Sequence, residues 1–254
     1  MSLIKTQSEI SKIREAGKAV HKIIHSTGAM IRPGITTGEL EDYAARLFSE
    51  LRATSPCLGY SPGGHPPFPA WTCICVNNEI VHAIPGRRQI KEGDIVTVDV
   101  ALELNGYIAD SAWTFPVGKV SPQAERLLKV TKDAMYRGIA EAKAGQKVAD
   151  IGYAIQRHAE TNGFSVVREL VGHGVGRTMH EEPQVANYGK RGKGPALQSG
   201  MTFTIEPMIN AGRKEIKCLD DGWTIVTEDG SLSAHFEHTV AIVPGGAMIL
   251  TNGE

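Results

Sequence analysis

The residues best able to do chemistry in this sequence are carboxylates placed where carboxylates are costly. Asp99 interrupts Ile95, Val96, Thr97, Val98 and Val100, a β-type run too apolar for solvent on either face, and a buried carboxylate needs a partner. Asp110 interrupts a second such run, and Asn105 and Gly106 between them signal a two-residue hairpin turn. In that register Leu104 faces Tyr107 and Ala101 faces Asp110. Asp99 then lies on the same face two residues away, a diagonal neighbour about 7 to 8 Å distant between backbones. Two carboxylates so placed suit the flanking of metal ions. Glu206 closes the alternation Thr202, Phe203, Thr204, Ile205 on its polar side, and Pro207 sets the strand exit. Glu237 repeats the pattern among His235, Phe236, His238 and Thr239, after a turn at Asp229 and Gly230.

His173 completes the set. It stands in Gly172, His173, Gly174, Val175, Gly176, where alternating glycines allow close backbone approach, and His180 follows before Glu181, Glu182 and Pro183. A phosphate cradle would need Lys followed directly by Ser or Thr after the glycines, and no such pair follows. One imidazole with four carboxylates is a hard, oxygen-rich donor set suited to a pair of Mn, Fe, Co or Zn ions. Two such ions acidify a shared water and polarise a carbonyl while a glutamate takes the proton, which is peptide hydrolysis at neutral pH.

These side chains need a frame. Ile10, Ile13, Val20, Ile23 and Ile24 predict an amphipathic helix ending near Arg32, Pro33 and Gly34, and Thr37 is read as the N-cap of a second helix carrying Leu40, Ala44, Leu47 and Leu51. Leu127, Val130, Ala134, Met135 and Ile139 predict a third, ending by Gly145, and Ile151, Ile155 and Ala159 a fourth. Gly34 and Gly145 stand 111 residues apart, as do Leu40 and Ile151. Each helix pair precedes β-type sequence: 71–76 and 94–115 in the first half, 166–171, 201–208 and 223–243 in the second. The expectation is a duplicated α+β domain over residues 1–254, with pseudo-symmetric halves at about 10–118 and 119–250. The proline-rich stretch 61–69 reads as an extended loop able to line a site.

With 254 residues, 41% hydrophobic, the chain can bury one sizeable core, and 27 basic against 28 acidic residues give no field that would steer DNA or an anionic membrane toward it. No apolar run approaches the roughly 20 residues of a membrane span, and no signal-peptide core precedes residue 14, so a cytoplasmic protein is expected. Cys57, Cys73, Cys75 and Cys218 are expected as free thiols, with Cys73 and Cys75 on opposite faces of a strand.

The order Asp99, Asp110, His173, Glu206, Glu237, with the His173 loop running through His180 to Pro183, resembles the type I methionine aminopeptidases over nearly the whole chain. The resemblance implies the pita-bread (creatinase/aminopeptidase) fold, an antiparallel or mixed sheet covered by helices. It implies two divalent metal ions on those five residues, with Glu206 also the general base. It implies substrate contact by His82, stabilisation of the tetrahedral intermediate by His180, and a methionine pocket of Phe68, Cys73, Met179 and Trp223. It also implies a monovalent cation, Na or K, near Asn77, Glu79 and Ser233. The substrate would be the initiator methionine of nascent peptides with a small second residue. Two departures bear on pocket shape: Ala83 stands where glycine is usual, and Met179 where an aromatic is usual. The loop 61–69 is also longer than the family pattern.

Prolidases and aminopeptidase P enzymes are similar in the same five ligands but have a further N-terminal domain, whereas only about 90 residues precede the first aspartate strand here. A pita-bread protein without metal could serve as an RNA- or protein-binding module, but all five ligands stand intact. A two-metal nuclease or phosphatase would call for converging basic residues, and Arg87, Arg88, Lys190, Arg191 and Lys193 read as solvated loops. Arg213, Lys214 and Lys217 form a basic cluster suited to a transient ribosome contact. No long exposed apolar stripe is in view, and a monomer is expected.

Overall fold

The computed structural model describes residues 2–254. In the first half, helices α1 (Gln7–Gly28) and α2 (Thr37–Glu50) precede strands β1 (Cys73–Val76), β2 (Glu79–Val81), β3 (Ile95–Leu104) and β4 (Tyr107–Pro116). In the second, α3 (Pro122–Glu141) and α4 (Val148–Thr161) precede β5 (Ser165–Val166), β6 (Gly172–Gly174), β7 (Glu181–Val185), β8 (Thr202–Ile205) and β9 (Met208–Asn210). The chain continues with β10 (Ile216–Cys218), β11 (Ile225–Thr227), β12 (Ser233–His235), β13 (His238–Val243) and β14 (Gly246–Ile249). All described strand pairings are antiparallel, in sheets ordered β1-β3-β4, β10-β11-β2, β12-β9-β5 and β14-β13-β8-β6-β7.

The helices form where periodicity and caps agree. Thr6 and Glu9 make a capping box on α1, and Thr36 and Glu39 another on α2. The N-cap of α2 is therefore Thr36, one residue before the expected Thr37, because its hydroxyl meets the Glu39 amide while the Glu39 carboxylate returns to the Thr36 amide. Helix α1 stops at Gly28 rather than near Arg32, its last turn closed by the Ala29 amide on the His25 carbonyl. Ser121 caps α3, and the Asp150 carboxylate takes the Lys147 amide at the start of α4. Gly34 and Gly145 both adopt positive φ, at 92° and 91°. Each leads into a helix whose preceding residue makes an isolated β-bridge, Thr36 with Gln89 and Lys147 with Ala196.

The cores interlock. The cluster under α1 and α2 includes Val98, Val100 and Leu102 from β3, but also Ala241 and Leu250 from the far end of the second half. The cluster under α3 and α4 includes Phe203, Ile205 and Val240, but also Ile95. No helix among the described residues is long and apolar enough to cross a membrane.

Candidate active site

The β3–β4 hairpin has the register that its two-residue turn predicts: Leu104 opposite Tyr107, Ala101 opposite Asp110, Asp99 opposite Ala112. Asn105 and Gly106 both take positive φ, 53° and 76°, as the turn requires. Asp99 and Asp110 thus point from one face, and both line a cavity of about 380 Å³. Strand β4 is tied to the segment carrying Glu237 by hydroxyls. Ser111 donates to the Glu237 carbonyl, Thr114 to the His235 carbonyl, and Thr239 accepts the Asp110 amide while donating to the Asp110 carbonyl. These contacts bring Glu237 to the same cavity.

His173 arrives on β6, held between β7 and β8. The glycines beside it are required by neighbouring backbone rather than by anything the imidazole binds: a Cβ on Gly174 would lie 2.1 Å from the Glu182 carbonyl oxygen, and one on Gly172 2.7 Å from that of Thr204. Gly174→Ala is therefore expected to cost roughly 3 kcal/mol or more of stability in denaturant unfolding; an unchanged midpoint would mean that β7 moves aside freely. The His173 amide donates to Thr204 Oγ1, and Nδ1 donates to the Gly174 carbonyl, which leaves the Nε2 lone pair facing inward. Nε2 lies 3.6 Å from Glu206 Oε1 and 4.0 Å from Asp110 Oδ2. Thr204, on the same face of β8 as Glu206, donates to Glu206 Oε1 at 2.5 Å.

All five residues face one cavity, and the donor atoms of Asp110, His173 and Glu237 lie within 4.8 Å of one another. Asp110 Oδ1 and Glu237 Oε1 are buried with no hydrogen-bond partner. Burial pushes the Asp110 carboxyl up to about 7. Burial, then the charge of Asp110, raises Asp99 and Glu237 well above the usual carboxylate range, and burial raises Glu206 likewise against the Thr204 hydrogen bond. Burial holds the His173 imidazole down at about 3. Converging carboxylates with orphaned oxygens and a neutral imidazole are what a divalent cation site looks like without its ion, so the residues fit one.

The two other expected histidines are here. His82, with positive φ of 58° at the end of β2, and His180 both line the cavity. Burial lowers both, His82 to about 4. The His180 ring stands edge-on to His173, centroids 4.4 Å apart. Phe68, Cys73 and Trp223 form one apolar cluster on the cavity wall, and Met179 sits in another that shares Cys57 and Tyr60 with it. All four cysteines are free, and of the β1 pair Cys73 lines the cavity while Cys75 does not. The loop 61–69 reaches the cavity through Pro62, His65 and Phe68, and Trp223 Nε1 donates to the Pro66 carbonyl.

Asn77, Glu79 and Ser233 lie apart from this cavity's lining. The Asn77 carbonyl accepts the Ser233 amide, and the Glu79 carboxylate takes the Val76 amide and pairs with Arg88.

Cys57, Tyr60 and His235 are among the cavity residues that escaped the sequence reading. Cys57 and Tyr60 sit in a segment with no periodicity, and the Tyr60 hydroxyl meets His180 Nδ1 at 3.0 Å. His235, two residues before Glu237, lies with Nε2 4.0 Å from Glu206 Oε2; an imidazole so near Glu237 in sequence was the available signal.

Comparison with known proteins agrees with this geometry. Residues 11–244 match Metallopeptidase family M24, and the chain belongs to that family of metal-dependent peptidases, with its pita-bread fold. Within it, the chain is 46% identical over 251 residues to a methionine aminopeptidase of Clostridium perfringens, covering 99% of each. Its structure matches the crystal structure of methionine aminopeptidase from Rickettsia prowazekii with TM-score 0.94 and 40% identity, covering 98% of both chains. The fold extends to an Xaa-Pro dipeptidase from Bacillus anthracis at TM-score 0.78 and 21% identity, where this chain spans only 62% of the other.

Proposed function

We propose that this protein is a methionyl aminopeptidase, a hydrolase that releases the initiator methionine from nascent polypeptides whose second residue is small. Asp99, Asp110, His173, Glu206 and Glu237 would hold two divalent ions from among Mn, Fe, Co and Zn. The observation that carries the reading is their convergence on one cavity with orphaned carboxylate oxygens, beside an apolar pocket of Phe68, Cys73, Met179 and Trp223. When bound, such ions polarise a peptide carbonyl and acidify water. The chain's own groups do the rest. The pocket receives the thioether and excludes water from it. Glu206, placed by Thr204, takes the proton released as the peptide is attacked. His180, its Nδ1 occupied by Tyr60, presents Nε2 to the developing oxyanion, and neutral His82 contacts the substrate backbone.

Residues 1–254 are read as one catalytic domain with duplicated halves at about 10–118 and 119–250. A monovalent cation, Na or K, near Asn77, Glu79 and Ser233 is part of the proposal, as are a cytoplasmic monomer and a transient ribosome contact through Arg213, Lys214 and Lys217.

Purified protein loaded with Mn is expected to release free methionine from a Met-Ala-Ser peptide, with chelator abolishing the release. Cleavage of an Ala-Pro peptide should run at least about 100-fold slower. Preference for the proline substrate would instead assign an Xaa-Pro peptidase.

A further inference from the structure

His235 is buried, with 2% of its surface exposed, and neither ring nitrogen has a hydrogen-bond partner. An imidazole left unpaired in a core is costly, and natural structures rarely keep one without use. Its backbone cannot drift, since its amide donates to Thr114 Oγ1 and its carbonyl accepts from the same hydroxyl. The side chain lines the catalytic cavity, and Nε2 approaches Glu206 Oε2 at 4.0 Å.

Glu206 is therefore bracketed. Oε1 accepts the Thr204 hydroxyl, while Oε2, which receives no hydrogen bond from another side chain, has His235 as its neighbour. A shift of about 1 Å in either side chain brings Nε2 and Oε2 to hydrogen-bond distance.

The geometry points to His235 as a positioning residue for Glu206: as a neutral imidazole it donates Nε2–H to Oε2 during turnover. The carboxylate plane is then fixed from both ends, and its accepting direction is aimed at the reacting centre. The inference rests on the methionyl aminopeptidase reading above and adds a residue to it.

The test uses His235→Gln, which keeps a neutral donor of similar reach, against His235→Asn, whose amide stops short, and His235→Leu, which keeps bulk alone. Each is assayed with Met-Ala-Ser at saturating Mn, and folding is monitored by thermal melting. For Asn and Leu, kcat should fall roughly 10- to 100-fold with KM within about twofold, and Gln should recover most of the loss. If Leu does not fold, the Gln and Asn pair decides. Equal kcat for Gln and Asn, whether both normal or both impaired, overturns the inference, as does a change confined to KM. Absence of methionine release by the wild-type protein would instead sink the activity on which it rests.

Discussion

Replacing Glu206 by glutamine is expected to lower kcat for methionine release by about three orders of magnitude while leaving a folded protein. The amide keeps the shape of the side chain and can still meet the Thr204 hydroxyl through its oxygen, so the cavity should persist. It cannot take a proton, and general base catalysis alone is worth about 10² to 10⁴. It also removes one negative charge from a cluster in which Asp99, Asp110 and Glu237 face the same space, which weakens the hold on a divalent ion. Thr204→Val should cost far less, about tenfold, because it loosens the carboxylate without removing its basicity. The measurement is steady-state methionine release from Met-Ala-Ser at saturating Mn, with circular dichroism as the check on folding. A Glu206→Gln enzyme within tenfold of the parent would deny Glu206 the role of base.

The second large effect is on stability, and it appears when the metal is stripped. A carboxyl whose pKa rises on folding contributes stability that is fully present below its unfolded value and is lost as the pH climbs through its folded value. For Asp110 that window runs from 3.8 to about 7, and for Asp99, Glu206 and Glu237 it extends upward in the same direction. Buried imidazoles run oppositely. His173 and His235, held at about 3, and His82 and His238, held at about 4, give stability that is present above 6.5 and is lost as the pH falls through those values.

Between about pH 4.5 and 6.5 the two kinds of group oppose each other, so the Tm of chelated protein should change less there than above 6.5. Above 6.5 the histidines are neutral in both states and only the carboxyls count. Every carboxyl that holds its proton in the fold but not in the unfolded chain then makes stability fall as the pH rises. The Tm of chelated protein should therefore fall measurably between pH 6.5 and 8. Adding Mn or Co should flatten the slope, because the cation replaces the protons on the same oxygens. A chelated protein whose Tm is level from pH 6.5 to 8 would mean that the carboxylates are solvated, not confined.

The parts of this molecule that were legible from residues alone are those where a local rule has one solution. The Asn105-Gly106 turn admits one register, and from it followed the shared face of Asp99 and Asp110. The alternation through Thr202 to Ile205 put Thr204 beside Glu206 in the same way. The helices were found through their periodicity, with the start of α2 misplaced by one residue because the Thr36 hydroxyl caps it, and the end of α1 by a few residues. The segment 166–171, expected as a strand, holds only the end of β5, because β6 starts beyond it at Gly172. Tyr60 and His235 were missed for a different reason. Nothing near Tyr60 marks it, His235 is marked only by its nearness to Glu237, and their contacts with His180 and Glu206 come from chain far away.

Ala241 and Leu250 pack into the cluster of α1, and a Cβ at Gly17 would strike the Leu250 carbonyl oxygen at 2.1 Å. Helix α1 is thus completed by chain more than 200 residues further along the sequence. Until residues 241–250 are in place, the apolar stripe of α1 stays uncovered, so the first core cannot close without the second half of the fold.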